Sequence, residues 1–210
     1  MIRLVIADDH AVLRQGLSSL LASHDDMEVV GEAADGLSAV EMARETKPDV
    51  IVLDISMPGL GMLQMLEQLQ LKAPEVKILI LSTHPEDQYA IRALRAGADG
   101  YLTKERTGDE LAIAVRHVAS GRKFVSPQLA EHLANELAGG KSRGTHEDLS
   151  DREFQVFLRL GRGLSIKETG AELSLSPKTV HTYRSRIFEK TGLKNDAEIV
   201  RYVVKNGLVD

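Results

Sequence analysis

The chain has 210 residues, 43% of them hydrophobic and none of them cysteine, with a formal net charge of −5. That length permits one large domain or two small ones with a real core, and the missing cysteines exclude disulfides, thiol catalysis and cysteine-bound zinc. No apolar run approaches the ~18 residues of a membrane span, and Asp8 and Asp9 come too early for a signal peptide, so a cytoplasmic protein with no membrane partner is expected.

Ile2 to Ala7 reads as a buried strand, and Ala11 to Ala22 sets Val12, Leu13, Leu17, Leu20 and Leu21 at helical spacing. Glu28 to Gly31 predicts a short second strand, and Leu37 to Thr46 a helix ended near Pro48. Val50 to Leu53 is an unbroken, β-branched-rich run, the pattern of a strand buried on both faces. It delivers Asp54 just before the Pro58-Gly59 turn. Met62 to Leu71 predicts a helix closed by Pro74, Val76 to Ser82 a fourth strand, and Glu86 to Ala96 a helix stopped at Gly97. Gly100 to Thr103 is a fifth strand and Asp109 to Ser120 a further helix. Five alternating β-α units predict an α/β domain: a five-stranded parallel sheet with helices on both faces. No GxGxxG or Walker-type loop is present, which disfavours nucleotide binding of those kinds.

Polar residues stand at one end of these strands. Asp8 and Asp9 follow the first, Asp54 ends the third, Ser82 and Thr83 end the fourth, and Lys104 follows the fifth. In a parallel sheet these positions share one edge, where ligands bind. A lone aspartate such as Asp54 is more often a cap or turn residue, but the full set at successive strand ends argues for a site. Three converging carboxylates repel, and a hard cation such as Mg²⁺ with oxygen ligands relieves them. The cation and Lys104 could neutralise a phosphoryl group arriving on Asp54. Ser82 could donate a hydrogen bond to it.

Asp8-Asp9, Asp54, Met57-Pro58-Gly59, Ser82, Ala96-Gly97-Ala98-Asp99-Gly100-Tyr101 and Lys104 resemble a response-regulator receiver domain. The resemblance covers about residues 1–123. It implies a flavodoxin-like fold with Asp54 as phospho-acceptor. It also implies Mg²⁺ held by Asp9, Asp54 and the Ser56 carbonyl, with Asp8 assisting. By the same resemblance Ser82, with Thr83 beside it, would supply the switch hydroxyl and Lys104 would contact the phosphoryl group, and Tyr101 matches the family's rotating aromatic. Ser56 and His84 take the positions that flank the attacking water. Met62 stands where the family usually has Gly, and a positive φ there would strain it.

Residues 124–147 read as a linker. Ser126-Pro127 starts a helix with Leu129, Leu133 and Leu137 in a stripe, and residues 138–146 form a Gly- and Ser-rich tether. Residues 148–210 read as helical throughout. Ser150 to Glu153 and Ser165 to Glu168 are capping boxes, Ser176-Pro177 and Asn195 start further helices, and Leu173 to Ser176 is a tight turn. Residues 1–125 hold 13 Lys and Arg against 19 Asp and Glu, whereas residues 173–194 set five bases against Glu189 alone. A basic helix after a tight turn matches a helix-turn-helix. Pro177 to Thr191 buries Val180 and Ile187 and offers Lys178, Thr179, His181, Thr182, Arg184, Ser185, Arg186 and Lys190 to DNA. From charge alone, a solvated basic helix is about as good a reading.

Leu149-Ser-Asp-Arg-Glu153, Gly163-Leu-Ser165, Leu175 to Arg184 and Lys190-Thr-Gly-Leu193 resemble a LuxR-type helix-turn-helix, and the whole chain is similar to NarL/FixJ-type response regulators. Ser176 to Lys190 leans toward the GacA/UvrY-like branch. Thr169-Gly170 replace the family's usual Ile-Ala pair, which predicts a soft second helix, since Gly costs ~1 kcal/mol relative to Ala. The resemblance implies a sensor histidine kinase as phosphodonor, a double-stranded operator with an inverted repeat, and a homodimer formed on phosphorylation. The protein is then not an enzyme in the usual sense. Two rivals stay open: a pseudo-receiver regulated without phosphate, and an Asp-based phosphotransferase.

Overall fold

The computed structural model describes residues 1–83, 86–106, 108–131, 134, 146–206 and 208. Ile2–Ala7 (β1) is buried from Leu4 onward, as its apolar run requires. Ala11–Ala22 (α1) turns Leu17 and Leu21 inward. Met27–Ala33 (β2) runs past Gly31, where the sequence suggested a stop; a register shift between Leu4 and Val5 of β1 lets pairing continue to Ala33. Gly36–Thr46 (α2) is capped by Asp35, whose side chain accepts from the Ser38 N–H at 2.9 Å. Val50–Leu53 (β3) is buried at every position. Met62–Lys72 (α3), Lys77–Ser82 (β4), Glu86–Arg95 (α4), Gly100–Thr103 (β5) and Asp109–Ala119 (α5) complete the alternation.

All strands pair in parallel, in the order β2-β1-β3-β4-β5. This is the flavodoxin-like arrangement, and the strand order reverses between β1 and β3. Successive side chains point to opposite faces. Leu4, Ile6, Val50, Val52, Leu79 and Leu81 pack with Leu17 and Leu21 of α1 and Leu111, Val115 and Val118 of α5. Val5, Ile51, Leu53, Ile78 and Ile80 are equally buried on the other face. Beyond β5 the chain returns to the sheet. Tyr101 N–H donates to the Phe124 carbonyl and Phe124 N–H to the Asp99 carbonyl, each at 3.0 Å. This covers an otherwise open strand edge.

Met62 does not carry the strain expected of it. It is the first helical residue of α3 and is buried, and among described non-glycine residues only Lys47 and Ser174 have positive φ. The turn's left-handed residue is Gly59, at φ +96°. Ser126 caps the next helical turn by accepting from the Leu129 N–H at 3.1 Å. Leu133, Leu137 and residues 138–145 of the expected tether lie outside the described residues.

Backbone contacts divide the chain into units Met1–Asn135 and Glu136–Asp210. The second unit is helical: Asp151–Gly161 (α6), Ile166–Leu173 (α7), Pro177–Thr191 (α8) and Asp196–Lys205 (α9). Both expected capping boxes are closed, Ser150 with Glu153 and Ser165 with Glu168, and Ser176 and Asn195 cap α8 and α9. Phe154, Phe157, Leu160, Val180, Ile187, Ile199 and Val203 form its buried interior.

The Thr169-Gly170 pair sits where α7 meets the turn. A Cβ on Gly170 would lie 2.7 Å from the Leu175 carbonyl oxygen, closer than real Cβ atoms approach backbone. Glycine is therefore what lets the Leu175 N–H reach the Gly170 carbonyl at 2.8 Å, and the simple helix-propensity penalty does not describe the position. Thr169 is the weaker partner. It is fully buried and its hydroxyl has no hydrogen-bond partner among the described residues. A buried, unsatisfied hydroxyl costs about 1–3 kcal/mol. Thr169→Val keeps the shape and removes the hydroxyl, so it should stabilise the helical unit by about 1 kcal/mol. A urea midpoint unchanged or lowered in the full-length variant would refute this.

Candidate functional site

The register brings the strand-end residues together. Ala7 of β1 pairs with Leu53 of β3, and Asp54 N–H donates to the Ala7 carbonyl at 2.8 Å. Asp8 and Asp54 therefore emerge side by side where the strand order reverses. On the far side Ser82 pairs with Thr103, which places Lys104 at the same edge. Asp8 and Asp54 are each 1% exposed. Lys104 Nζ lies 2.6 Å from Asp8 Oδ2 and 2.7 Å from Asp54 Oδ2. Burial alone would lower the Lys104 pKa, but its hydrogen bonds and charge attraction to Asp54 and Asp8 outweigh that and raise it.

The other carboxylate oxygens are also held. Asp8 Oδ1 accepts the His10 N–H at 2.8 Å, and Asp54 Oδ1 accepts the Ser56 N–H at 2.9 Å. Arg14 donates to the Asp8 carbonyl at 2.6 Å and pairs with Glu32. Asp9 is more open, and His10 Nδ1 lies 2.8 Å from its Oδ1. Ligand atoms of Asp8, Asp9, His10 and Asp54 all fall within 4.8 Å of one another. Three carboxylates with a neighbouring backbone segment fit a hard divalent cation. His10 was missed from the sequence; its only signal was its place directly after two acids.

Ser82 is fully buried and shares a hydrogen bond with the Tyr101 hydroxyl, while Thr83 is exposed. Burial pushes the Tyr101 phenol well above its ordinary pKa, and the Ser82 bond acts the other way. Tyr101 is 0% exposed, so the residue that matches the family's rotating aromatic lies inside. The Ser56 side chain is exposed, and His84 lies outside the described residues.

The basic helix α8 divides into free and engaged residues. Lys178, His181, Thr182, Ser185 and Arg186 are exposed. The Thr182 and Ser185 hydroxyls donate back to the Lys178 and His181 carbonyls at 3.1 Å each, and Thr179 pairs with Ser176 at 2.7 Å. Two candidate DNA contacts are committed elsewhere. Arg184 forks onto Asp196 at 2.7 and 3.1 Å and lies over the Phe188 ring at 4.5 Å. Lys190 Nζ is 2.6 Å from Glu153 Oε2. Burial would raise the Glu153 pKa, but the Lys190 and Ser150 bonds lower it overall. No helix among the described residues is long and apolar enough to cross a membrane.

A flavodoxin-like sheet with a lysine-bridged aspartate pair at its switch point, followed by a helix-turn-helix, defines the class. The profile of the response regulator receiver domain matches residues 4–116, and that of the LuxR family of bacterial regulatory proteins matches residues 147–203. The chain belongs to the two-component response regulators that join a receiver to a LuxR-type DNA-binding domain. Within that class it is similar to the response regulator GacA of Pseudomonas aeruginosa, with 37% identity over 100% of this chain and 99% of that one. It is 34% identical to the response regulator UvrY of Escherichia coli, over 99% of this chain and 96% of that one. This agrees with the branch suggested by residues Ser176 to Lys190. Among solved structures, the response regulator ChrA of a heme-sensing two-component system matches 99% of this chain and 98% of its own, at 33% identity and a TM-score of 0.53.

Proposed function

We propose that Asp54 is the phospho-acceptor and that its phosphorylation biases dimerisation and operator binding. The buried Asp54 carboxylate, bridged by Lys104 to Asp8 at the switch point, carries the reading. A histidine kinase supplies the phosphoryl group. Asp54 attacks phosphorus, a P–O bond forms as the P–N bond of the phosphohistidine breaks, and the departing imidazole takes up a proton. Lys104 stays beside the product and offsets its charge. Asp9, Asp54 and the Ser56 carbonyl, with Asp8 assisting, would hold Mg²⁺, which would neutralise charge on the transferring group. Ser82 donates to a phosphoryl oxygen, with Thr83 next to it, and Tyr101 responds because it shares the Ser82 hydroxyl. Transfer and hydrolysis are self-catalysed in a cytoplasmic protein that is not otherwise an enzyme.

Residues 1–123 form the receiver, 124–147 the linker and 148–210 the DNA-binding domain. Lys178, His181, Thr182, Ser185 and Arg186 face the duplex, and Thr179 orients the start of α8. One short helix binds DNA weakly and with steep salt dependence. A dimer presents two such helices to an inverted repeat and gains from effective concentration. Beryllofluoride with Mg²⁺ should raise affinity for a duplex that the full-length chain selects from a random pool by about tenfold or more. Equal affinity with and without it, across a salt titration, would overturn phosphorylation control and favour a pseudo-receiver.

A further inference from the structure

We propose that Arg184 and Asp196 form a neutral strut that sets the pose of α8, so that Arg184 positions the recognition helix and gives no phosphate contact. The inference rests on reading α8 as the helix that meets DNA. Arg184 is one of five bases between residues 173 and 194, and by charge it belongs with Lys178 and Arg186. Its surroundings differ from theirs. Lys178 and Arg186 are exposed, whereas the Arg184 side chain is only 28% exposed. Its Nε donates to Asp196 Oδ1 and its Nη2 to Asp196 Oδ2, and its planar group lies over Phe188 one turn further along α8. A bidentate fork with a stacked face fixes a guanidinium in direction as well as distance.

The partner's position gives the fork its purpose. Asp196 is the first residue of α9, directly after the Asn195 cap. The cap fixes where α9 begins, and the fork ties the middle of α8 to that point. Lys190, bonded to buried Glu153 at the start of α6, holds the other end of α8. A carboxylate this close cancels the Arg184 charge as seen by an approaching phosphate. The residues left to meet the duplex are Lys178, His181, Thr182, Ser185 and Arg186, and their aim depends on the strut.

Lysine distinguishes the strut from a phosphate contact. It can serve a phosphate as a point charge, but it cannot reproduce the fork or the stack. The test uses the full-length chain with beryllofluoride and Mg²⁺, and a labelled duplex enriched by the wild-type protein from a random pool. Affinity is measured from low to moderate salt for wild type, Arg184→Lys, Arg184→Gln and Asp196→Asn. Far-UV circular dichroism and a urea midpoint check that each variant is folded.

The strut predicts that all three variants lose affinity by about tenfold, comparable with spoiling one base-pair contact. It also predicts a salt slope unchanged from wild type in each. A phosphate contact predicts the opposite pattern. Arg184→Lys would bind like wild type, Arg184→Gln would lose about 0.9 from the slope, and Asp196→Asn would bind more tightly because the arginine is released. Either that pattern or no loss of affinity in Asp196→Asn overturns the proposal. No enrichment of any duplex by wild type would instead refute the DNA-binding reading, so the two failures are separable.

Discussion

Asp54→Asn is expected to take up no label from radiolabelled acetyl phosphate in the presence of Mg²⁺. The amide nitrogen and oxygen are poor nucleophiles at phosphorus, and the substitution removes one of the charges that draws the cation to the site. The fold should survive, because Asn keeps the shape and its side-chain oxygen can still accept the Ser56 N–H that Asp54 Oδ1 now accepts at 2.9 Å. Asp8→Asn is the useful control. Asp8 shares Lys104 with Asp54 but is assigned no covalent step, so labelling should slow without disappearing. Full labelling of Asp54→Asn would show that the acceptor lies elsewhere, and Asp9 would be the next candidate.

Lys104→Met should be the most destabilising single change at this site when Mg²⁺ is absent. The lysine bridges two carboxylates that are each 1% exposed. Without it those charges face each other at the buried end of the sheet. Removing one partner of a buried pair costs about 3–5 kcal/mol, and the lower end is expected because the cleft is open toward Asp9. The measurement belongs near neutral pH. The Lys104 pKa is raised above its ordinary value of 10.5. Its stabilising contribution is therefore complete below that value and is lost only as pH rises through the raised one. Urea unfolding followed by circular dichroism, with Mg²⁺ and with chelator, gives the result. Millimolar Mg²⁺ should recover part of the loss, since a ligand held only by the folded form stabilises it. A variant as stable as wild type in chelator would mean that the lysine is not what neutralises the pair.

The convergence of the strand-end residues was legible because topology does most of the positioning. Once β1, β3, β4 and β5 are recognised as parallel strands, Asp8, Asp54, Ser82 and Lys104 have no choice but to share an edge. The helix starts were equally legible, since Ser150, Ser165, Ser176 and Asn195 act on N–H groups three residues away. What sequence could not reach was pairing at a distance. Arg184 and Asp196 are 12 residues apart and Lys190 and Glu153 are 37 apart. A basic helix shows its charges without showing which of them are already answered. Gly170 posed the same difficulty: as a letter it is a poor helix former, and only the Leu175 carbonyl 2.7 Å from where a Cβ would stand explains it. Met62 erred the other way, because comparison with a family habit suggested strain where a helical start has none.

The Tyr101 main chain gives the stretch after α5 a mechanical meaning. Its side chain is shut inside against Ser82, while its own N–H carries the Phe124 carbonyl. The strand that bears this buried ring is thus also the mooring of the segment that follows α5. Side-chain rotation alone leaves a mooring where it is. A displacement of β5 at Tyr101, however, would be handed across that backbone hydrogen bond to Phe124.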